Sequence, residues 1–326
     1  MKRRLGCLFA TLLLLLGLTT GCGIQGGGMA GKVRIAIQPS AAFVPLFVAK
    51  EKGWIEEALR EKGLSVEWVD FVSGPPMNDA LLNKDVDLGV IGDVPVVTVC
   101  APGNEVEVVS IAAQAADSYA VLVPDGSGAT DAADLAGKRV ATTFGSTGHN
   151  MVQKFLATAG LTINDIQLVN IAAGDAETVL ASNQADAVSI WEPNVTRLCD
   201  DIGARIIGEG SDCGLAGINA IVARSEYAKA HPEVVTTILE QYKRAAEDLG
   251  TMDEATLDAV AKDLSIQPDQ LQRIIPKFRY TVEITDEDLA ALNDTIRFLN
   301  ENKIMRTKYD IAESTDSSYY DAISEN

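Results

Sequence analysis

The residues best placed to do chemistry lie in one short stretch, residues 139–150, with the sequence RVATTFGSTGHN. Residues 140–142 are predicted to form a short buried strand that Gly145 ends, and Ser146 and Thr147 are strong N-cap residues for the helix that follows. A helix N-terminus offers free backbone N–H groups and the positive end of a dipole, so this turn can bind a small anion without a cationic side chain. The alternative is that Ser146 or Thr147 only caps a structural helix.

Three other turns have the same order of strand, polar turn and helix. Residues 33–37 lead into Gln38-Pro39-Ser40, the strand DLGVI leads into Gly92-Asp93-Val94-Pro95, and the strand DAVSI leads into Trp191-Glu192-Pro193. Ligands of such α/β sheets bind outside the carboxyl ends of the strands. Two of the four turns come from each half of the chain, which predicts two lobes facing each other across one cleft.

The predicted fold class is therefore α/β, with two lobes that each hold a mostly parallel sheet flanked by helices. A chain of 326 residues is also longer than one small core usually holds. The predicted division is a first lobe of residues 32–118 and 224–314, a second lobe of residues 119–223, and a polar tail of residues 315–326.

The N-terminus has the features of an export signal. Lys2, Arg3 and Arg4 precede an apolar run over residues 5–18, which is shorter than the roughly 20 residues of a membrane span. Residues 18–22, LTTGC, resemble a lipobox, so residues 1–21 are predicted to be removed and Cys22 to carry the lipid. Residues 22–31 then form a flexible tether. The alternative is an ordinary secreted protein in which Cys22 is incidental.

Charge and cysteine content narrow the function further. Without the three basic residues of the signal, 24 basic residues stand against 46 acidic ones, a formal charge of −22, which argues against a nucleic-acid partner. Cys199 and Cys213 can form a disulfide outside the cytoplasm, but their spacing does not decide it. Only His149 and His231 are present and no Cys/His metal spacing occurs, so neither a metal nor a cofactor is expected.

At this point the chain resembles a known family, the substrate-binding proteins of ABC importers for nitrate, sulfonates, taurine and bicarbonate. The resemblance spans about residues 32–310. It rests on five segments in order: AKEKGWIEE after the first strand, DLGVIGDVP, DLAGKRVATTFGSTGHNMVQKFLATAGL, QADAVSIWEPNVTRL and ARSEYAKAHPEVV.

The resemblance implies a type II periplasmic-binding-protein-like fold, hinged by strands near residues 119–123 and 220–223. It implies a non-catalytic lipoprotein, monomeric and held outside the cytoplasm by its lipid, on the periplasmic side or the cell surface. Its partners would be a small anionic solute and the ABC permease to which it delivers that solute.

The family's ligand contacts, carried onto this chain, fall on the turns already described. They are Pro39, Ser40, Phe43, Gly92, Asp93, Val94, Asp117, Ser118, Ser146, Thr147, Gly148, His149, Trp191, Glu192 and Asn219. Several have a structural alternative: Phe43 and Trp191 as core, Asp93 and Glu192 as acids at a helix start, His149 as a solvated helix residue. Taurine-binding members carry an acid at the position of Asn219, so asparagine there argues against taurine itself.

Three other functions stay open from the sequence. The same transport role can serve a pyrimidine precursor of thiamine or another aromatic ligand. A thiamine-pyrimidine biosynthetic enzyme of the same fold is a second alternative, against which the export signal and the lack of a catalytic cluster argue. A sensor that reports the ligand to a signalling partner is the third. The sequence does not name the solute.

Overall fold

A computed structural model describes residues 31–324 of the chain, so the predicted signal peptide and Cys22 lie outside the described residues. Gly31, predicted as the last residue of the tether, begins the first strand. The described strands are β1 (Gly31–Ile37), β2 (Leu64–Asp70), β3 (Leu88–Gly92), β4 (Val106–Gln114), β5 (Tyr119–Val123), β6 (Arg139–Thr142), β7 (Gln167–Asn170), β8 (Ala187–Trp191), β9 (Arg205–Glu209), β10 (Ile218–Arg224) and β11 (Arg279–Tyr280).

The helices follow the strands in alternation through both halves and then dominate the last third of the described chain. They are α1 (Val44–Glu51), α2 (Trp54–Glu61), α3 (Gly74–Leu82), α4 (Asp93–Val99), α5 (Thr147–Thr158), α6 (Ala176–Ala181), α7 (Asn194–Ile202), α8 (Ser225–Ala230), α9 (Pro232–Asp248), α10 (Glu254–Asp263), α11 (Pro268–Ile274), α12 (Asp286–Glu301) and α13 (Ser318–Ser324). Within residues 31–324, no helix is long and apolar enough to cross a membrane.

Two sheets form the two predicted lobes. The first has the strand order β11-β4-β10-β3-β1-β2 and the second the order β7-β6-β8-β5-β9. The α/β fold class is confirmed, but each sheet is mixed rather than mostly parallel. Parallel pairing joins β1 to β2 and β3, and β6 to β7 and β8. The strands that carry the chain between the lobes, β4, β5 and β10, pair antiparallel.

The lobe boundaries differ from the predicted ones at two places. Strand β10 pairs with β3 and β4 in the first sheet, so residues 218–223 lie in the first lobe rather than the second. Their apolar run INAIVA fits a strand buried on both faces. Residues 318–324, predicted as part of a polar tail, form α13, whose Tyr319 and Ile323 are buried in the core around β1 and α9.

Two connections, residues 115–118 and residues 210–217, carry the chain between the lobes and lie against each other. The Ala115 N–H donates to the Gly217 carbonyl at 3.2 Å. A Cβ on Gly217 would lie 2.2 Å from the Ala115 carbonyl oxygen, and Gly217 has a φ of +67°, so this contact requires glycine. These connections, beside β5 and β10, are therefore where the chain crosses between the lobes, and the hinge at residues 119–123 and 220–223 stays a prediction.

Each lobe fixes its first and third strands with the same arginine–aspartate pair. The Arg34 guanidinium donates to Asp87 at 2.8 Å, and the Arg139 guanidinium donates to Asp186 at 2.8 Å. In the first lobe Arg224 of β10 adds a second bond to Asp87. Although burial acts to raise it, the hydrogen bonds from Arg34 and Arg224 hold the pKa of Asp87 below its usual value. Asp87 and Asp186 directly precede β3 and β8, so these pairs join the strands at the amino ends of β3 and β8, the sheet edge opposite the cleft.

The two cysteines that could form a disulfide are both free thiols. The Cys213 sulfur lies 3.5 Å from the Met151 sulfur, and Cys199 packs at the edge of the second core. Burial raises the pKa of Cys213 to about 11, which keeps this thiol protonated at neutral pH.

Candidate functional site

A small cavity of about 20 Å³ lies between the lobes, at the carboxyl ends of β1, β3, β6 and β8, with space for about one water molecule. Its walls carry no charged side chain. The lining residues are Gln38, Ser40, Gly74, Gly92, Pro95 and Asn219 from the first lobe, and Tyr119, Ser146, Thr147 and Trp191 from the second. So little space between two lobes means that the structure is a closed one.

Two helices begin at the wall of this cavity, and their N-termini point toward it. Helix α3 begins at Gly74, and α5 begins at Thr147 after its N-cap Ser146. The Ser146 hydroxyl donates to the Thr143 carbonyl at 2.6 Å and accepts from the His149 N–H at 3.3 Å. Ser146 therefore is a helix cap, and its own hydrogen-bonding capacity is already used by the protein.

The first backbone donors of α5 are left for a ligand. The N–H groups of His149 and Asn150 bond to the Ser146 carbonyl, whereas those of Thr147 and Gly148 have no partner within residues 31–324. Thr147 lines the cavity and Gly148 follows it, so these two donors and the dipole of the helix make this end of the cavity electropositive.

The opposite wall holds a buried amide that lacks a partner. Gln38 is 6% exposed, and its Oε1 makes no hydrogen bond to any described residue. Beside it the Ser40 oxygen accepts from the Ala42 N–H at 3.4 Å, which leaves the hydroxyl hydrogen available. Because buried polar groups in folded proteins are almost always paired, the unpaired amide indicates that a ligand completes this wall. Rotation of the amide by half a turn exchanges its oxygen and its NH₂, which makes Gln38 a candidate donor to a ligand.

Asp93 lies behind the cavity wall rather than on it. Its carboxylate accepts from the Val94 N–H at 2.7 Å, the Thr147 hydroxyl at 2.6 Å and the Thr295 hydroxyl at 3.1 Å. Burial raises the pKa of this carboxyl, and the hydrogen bonds only partly offset that effect. Since Thr147 belongs to the second lobe, Asp93 joins the two lobes.

Glu192 of the second lobe also joins the two lobes. Its side chain is 0% exposed and accepts from the Thr196 N–H at 3.0 Å and the Thr196 hydroxyl at 2.8 Å. The Lys277 ammonium of the first lobe donates to it at 2.6 Å, and the Glu192 carbonyl accepts from the Ala41 N–H at 3.2 Å. Glu192 thus caps α7 and closes the lobes, without lining the cavity.

The other predicted contacts are divided between core, hinge and surface. Phe43 and Val94 are buried in the first lobe's cores, and Pro39 is exposed. Asp117 accepts from the Ser211 N–H at 3.1 Å, and the Ser118 hydroxyl donates to the Ala115 carbonyl at 2.7 Å, so both stabilise the crossing connections.

Gly148 and His149 flank the cavity without lining it. A Cβ on Gly148 would lie 3.0 Å from the Ser189 carbonyl oxygen, so packing against β8 favours glycine there. His149 stacks on Phe144, and its Nδ1 accepts from the Gly145 N–H at 3.3 Å. Burial lowers the pKa of His149, which favours the neutral imidazole.

The structure therefore brings together six predicted residues, Ser40, Gly92, Ser146, Thr147, Trp191 and Asn219, around one cavity. Sequence reasoning missed Gln38, Gly74, Pro95 and Tyr119. The signal for Gln38 was present, since it is the first polar residue after a buried strand. No local sequence pattern identifies Tyr119 as a site residue. Its hydroxyl donates to Asn219 Oδ1 at 3.4 Å, from one lobe to the other.

Within residues 31–324, no group of three or more His, Cys, Asp or Glu residues could hold a metal ion. The site is instead a closed, uncharged cavity lined by neutral donors between two α/β lobes. Such an arrangement defines a binding-protein fold, and the comparisons with known proteins agree with it.

The chain belongs to the NMT1/THI5-like family, whose model matches residues 40–255. It is 29% identical to a putative aliphatic sulfonates-binding protein of Bacillus subtilis (strain 168), over 98% of this chain and 96% of that protein. It is 25% identical to the taurine-binding periplasmic protein of Escherichia coli (strain K12), over 83% and 87%. The alkanesulfonate-binding protein SsuA from Xanthomonas axonopodis pv. citri, solved with MOPS, superposes with a TM-score of 0.80 at 26% identity, over 88% and 98%.

These relatives are binding proteins, and the bilobed periplasmic-binding-protein fold predicted from the sequence is confirmed.

Proposed function

We propose that this protein is the solute-binding component of an ABC importer. It captures a small organic anion, with a sulfonate or similar anionic group at the cavity between the lobes, and delivers it to a permease. The cavity has to widen from its present space for about one water molecule to admit that group. Closure of the lobes around the solute is the expected mechanism. The observation that carries the proposal is the set of unpaired neutral groups at an uncharged cavity. They are the first N–H groups of α5 and the buried Gln38 amide, whose oxygen has no partner and whose NH₂ becomes the donor when the amide is rotated.

Neutral donors suit a sulfonate for a physical reason. Three oxygen atoms share one negative charge, so the anion is stabilised by several hydrogen bonds and two helix dipoles without a buried cation. The names of the sulfonate-binding relatives support the same ligand class. Taurine carries an ammonium group in addition, and the cavity offers it no acid, because Asn219 lines the wall and Asp93 is turned toward Thr147.

The alternative of an enzyme has less support. Catalysis would need an activated nucleophile on the cavity wall, and the ten lining residues offer hydroxyl groups but no cysteine, histidine or acid that could react or act as the base. A pyrimidine ligand remains the alternative to an organic anion for the transport role. It is to be tested beside the anions.

The part that Gln38 plays in binding the anion can be tested by calorimetry on the Gln38→Leu variant. Wild-type protein should bind methanesulfonate, and the variant should bind it roughly ten- to a hundredfold more weakly, since one hydrogen bond to a charged group is lost. Gln272→Leu, which changes an exposed glutamine on α11, is the matched control and should bind as wild type does.

Nitrate, bicarbonate, taurine and a thiamine-precursor pyrimidine complete the panel. Binding of the pyrimidine with no binding of any anion would replace the proposed ligand class. Equal methanesulfonate affinity in wild type and Gln38→Leu would move the anion site away from this cavity.

We further propose that the protein is a monomeric lipoprotein outside the cytoplasm, anchored through Cys22. The basic residues, leucine run and LTTGC segment of the N-terminus support this. Cys22→Ala should release the protein into the soluble extracellular or periplasmic fraction, or leave the signal uncleaved. Cell fractionation with immunoblotting measures this, and unchanged membrane association of a processed Cys22→Ala protein would contradict the anchor.

A further inference from the structure

The backbone N–H groups of the turn before α5 fall into two sets. Those of residues 144–146 each donate to an acceptor within the protein, whereas those of Thr147 and Gly148 have no partner within residues 31–324. The acceptor for the Gly145 N–H is the ring Nδ1 of His149, at 3.3 Å. Because His149 lies in the first turn of α5, this hydrogen bond ties the loop to the helix that carries the two unpaired donors.

The other ring nitrogen of His149 faces Gln153, four residues further along α5. The two Nε2 atoms lie 3.1 Å apart. If the Gln153 NH₂ donated to the ring, both nitrogens of His149 would be acceptors, which no imidazole allows because at least one of its nitrogens carries a proton. Gln153 is 6% exposed, and in this orientation its Oε1 has no partner among the described residues.

Exchange of the oxygen and the NH₂ of the Gln153 amide resolves this conflict. The His149 Nε2–H then donates to the Gln153 oxygen, and Nδ1 stays the acceptor for the Gly145 N–H. Gln153 therefore selects the tautomer in which His149 can hold the turn. Both ring nitrogens are used within α5 and its turn, which leaves neither of them for a ligand.

The surroundings of His149 favour the neutral ring that this role requires. Burial lowers the pKa of His149, and the positive end of the α5 dipole disfavours a cation in the first turn. A second proton on Nδ1 would point at the Gly145 N–H and remove its acceptor. The charged side chains on α5 and on the elements packed most closely against it have partners elsewhere: Lys154 with Asp294, Asp93 with Thr147, Asp165 with Thr162 and Asp212 with the Glu209 N–H.

We propose that His149 is a positioning residue for the anion turn, acting as a neutral imidazole whose Nδ1 accepts from the Gly145 N–H. The proposal rests on the proposed function, because it concerns the same turn. Gly145 has a φ of +74°, a left-handed conformation that glycine adopts readily. His149 holds the loop in this conformation, so that α5 begins at Thr147 with its first donors unpaired.

Three substitutions of His149 separate the roles of its two nitrogens. The asparagine oxygen takes the place of Nδ1, the glutamine oxygen takes the place of Nε2, and leucine keeps the volume without an acceptor. In calorimetry with methanesulfonate, His149→Leu and His149→Gln should bind roughly tenfold more weakly than wild type, since one hydrogen bond that holds the turn is lost. His149→Asn should bind nearly as wild type does. Nitrogen-15 NMR of wild type at neutral pH should show the His149 proton on Nε2.

His231→Asn is the matched control, because it changes the other histidine of the chain, which is exposed and precedes α9 in the first lobe. It should bind as wild type does, and it assigns the imidazole signals of the NMR spectrum. The unfolding midpoint of each variant, measured alongside, separates a loss of affinity from a loss of folded protein.

Several outcomes would overturn the positioning role while leaving the anion cavity intact. They are wild-type affinity in His149→Leu, a proton on Nδ1, or equally weak binding by all three variants, which would mean that packing of the ring on Phe144 matters rather than its acceptor. Rescue by glutamine and not by asparagine would make Nε2 a direct ligand contact instead. Failure of wild type to bind methanesulfonate or any other anion would overturn the proposed function, and this role with it.

Discussion

Asp93 and Glu192 occupy equivalent turns, each just after the third strand of its lobe's parallel segment, yet their surroundings differ. Each accepts a hydrogen bond from its own helix, Asp93 from the Val94 N–H and Glu192 from the Thr196 N–H. Each also accepts from the opposite lobe. Asp93 receives only neutral donors there, whereas Glu192 receives the ammonium of Lys277.

The comparison explains how an anion site can be built next to two buried acids. Both carboxylates are turned away from the cavity, and both are used to hold the lobes together. Glu192 is compensated by a cation. Asp93 is surrounded by hydroxyl and amide donors, in a site where burial raises its pKa. The lobes are therefore held together by two carboxylates that do not line the cavity.

Removal of the Lys277 ammonium should have the larger effect on stability. In Lys277→Met the Glu192 carboxylate, 0% exposed, loses its cation, and breaking such a pair costs about 3 kcal/mol. We expect a loss of unfolding free energy at the lower end of the range measured for buried ion pairs, because Lys277 is itself 35% exposed and Glu192 keeps both hydrogen bonds from Thr196. Urea unfolding followed by tryptophan fluorescence measures the loss.

Lys84→Met is the matched control, since it breaks an exposed ion pair with Glu226 within the first lobe and should leave the unfolding midpoint nearly unchanged. An unfolding midpoint of Lys277→Met equal to that of wild type would mean that Thr196 alone satisfies Glu192. The two lobes would then be held together chiefly from the Asp93 side.

The sequence predicted the features that depend on local order. Alternating strands and helices, the N-cap at Ser146 and the turn after each buried strand all follow from residue types at short spacing. The antiparallel share of each sheet was missed because the paired strands lie far apart along the chain, β10 from β3 and β4 in the first sheet and β5 from β8 and β9 in the second. Periodicity does not reveal partners at that distance.

The candidate site was predictable only in part, for a related reason. The turns mark which residues reach the cleft, but they do not show which way each side chain points. Asp93 and Glu192 have the polarity of ligand contacts, and only the closed arrangement shows that Thr147 and Lys277 already satisfy them. The ligand contacts of the six residues that do line the cavity stay predictions until a ligand is bound.

Asp93→Asn should have a smaller effect, and one that depends on pH. The folded-state pKa of Asp93 is raised, so the folded protein binds a proton at Asp93 more tightly than the unfolded chain does. This stabilises the fold fully below the unfolded pKa, and the stabilisation is lost as the pH rises through the folded pKa. Asparagine does not titrate. The unfolding free energy of Asp93→Asn minus that of wild type should therefore become more positive as the pH rises above about 4, the unfolded pKa of aspartate, until it passes the raised folded pKa.

The asparagine can be accommodated, because the Asn150 side-chain oxygen beside it is buried without a partner and can accept from the new amide. Asp79→Asn, an exposed acid on α3, is the control and should show a difference that does not change with pH. Urea unfolding at each pH measures both variants. If the Asp93→Asn difference also stays constant with pH, then Asp93 is ionised at no cost, and its four hydrogen-bond donors fully balance its burial.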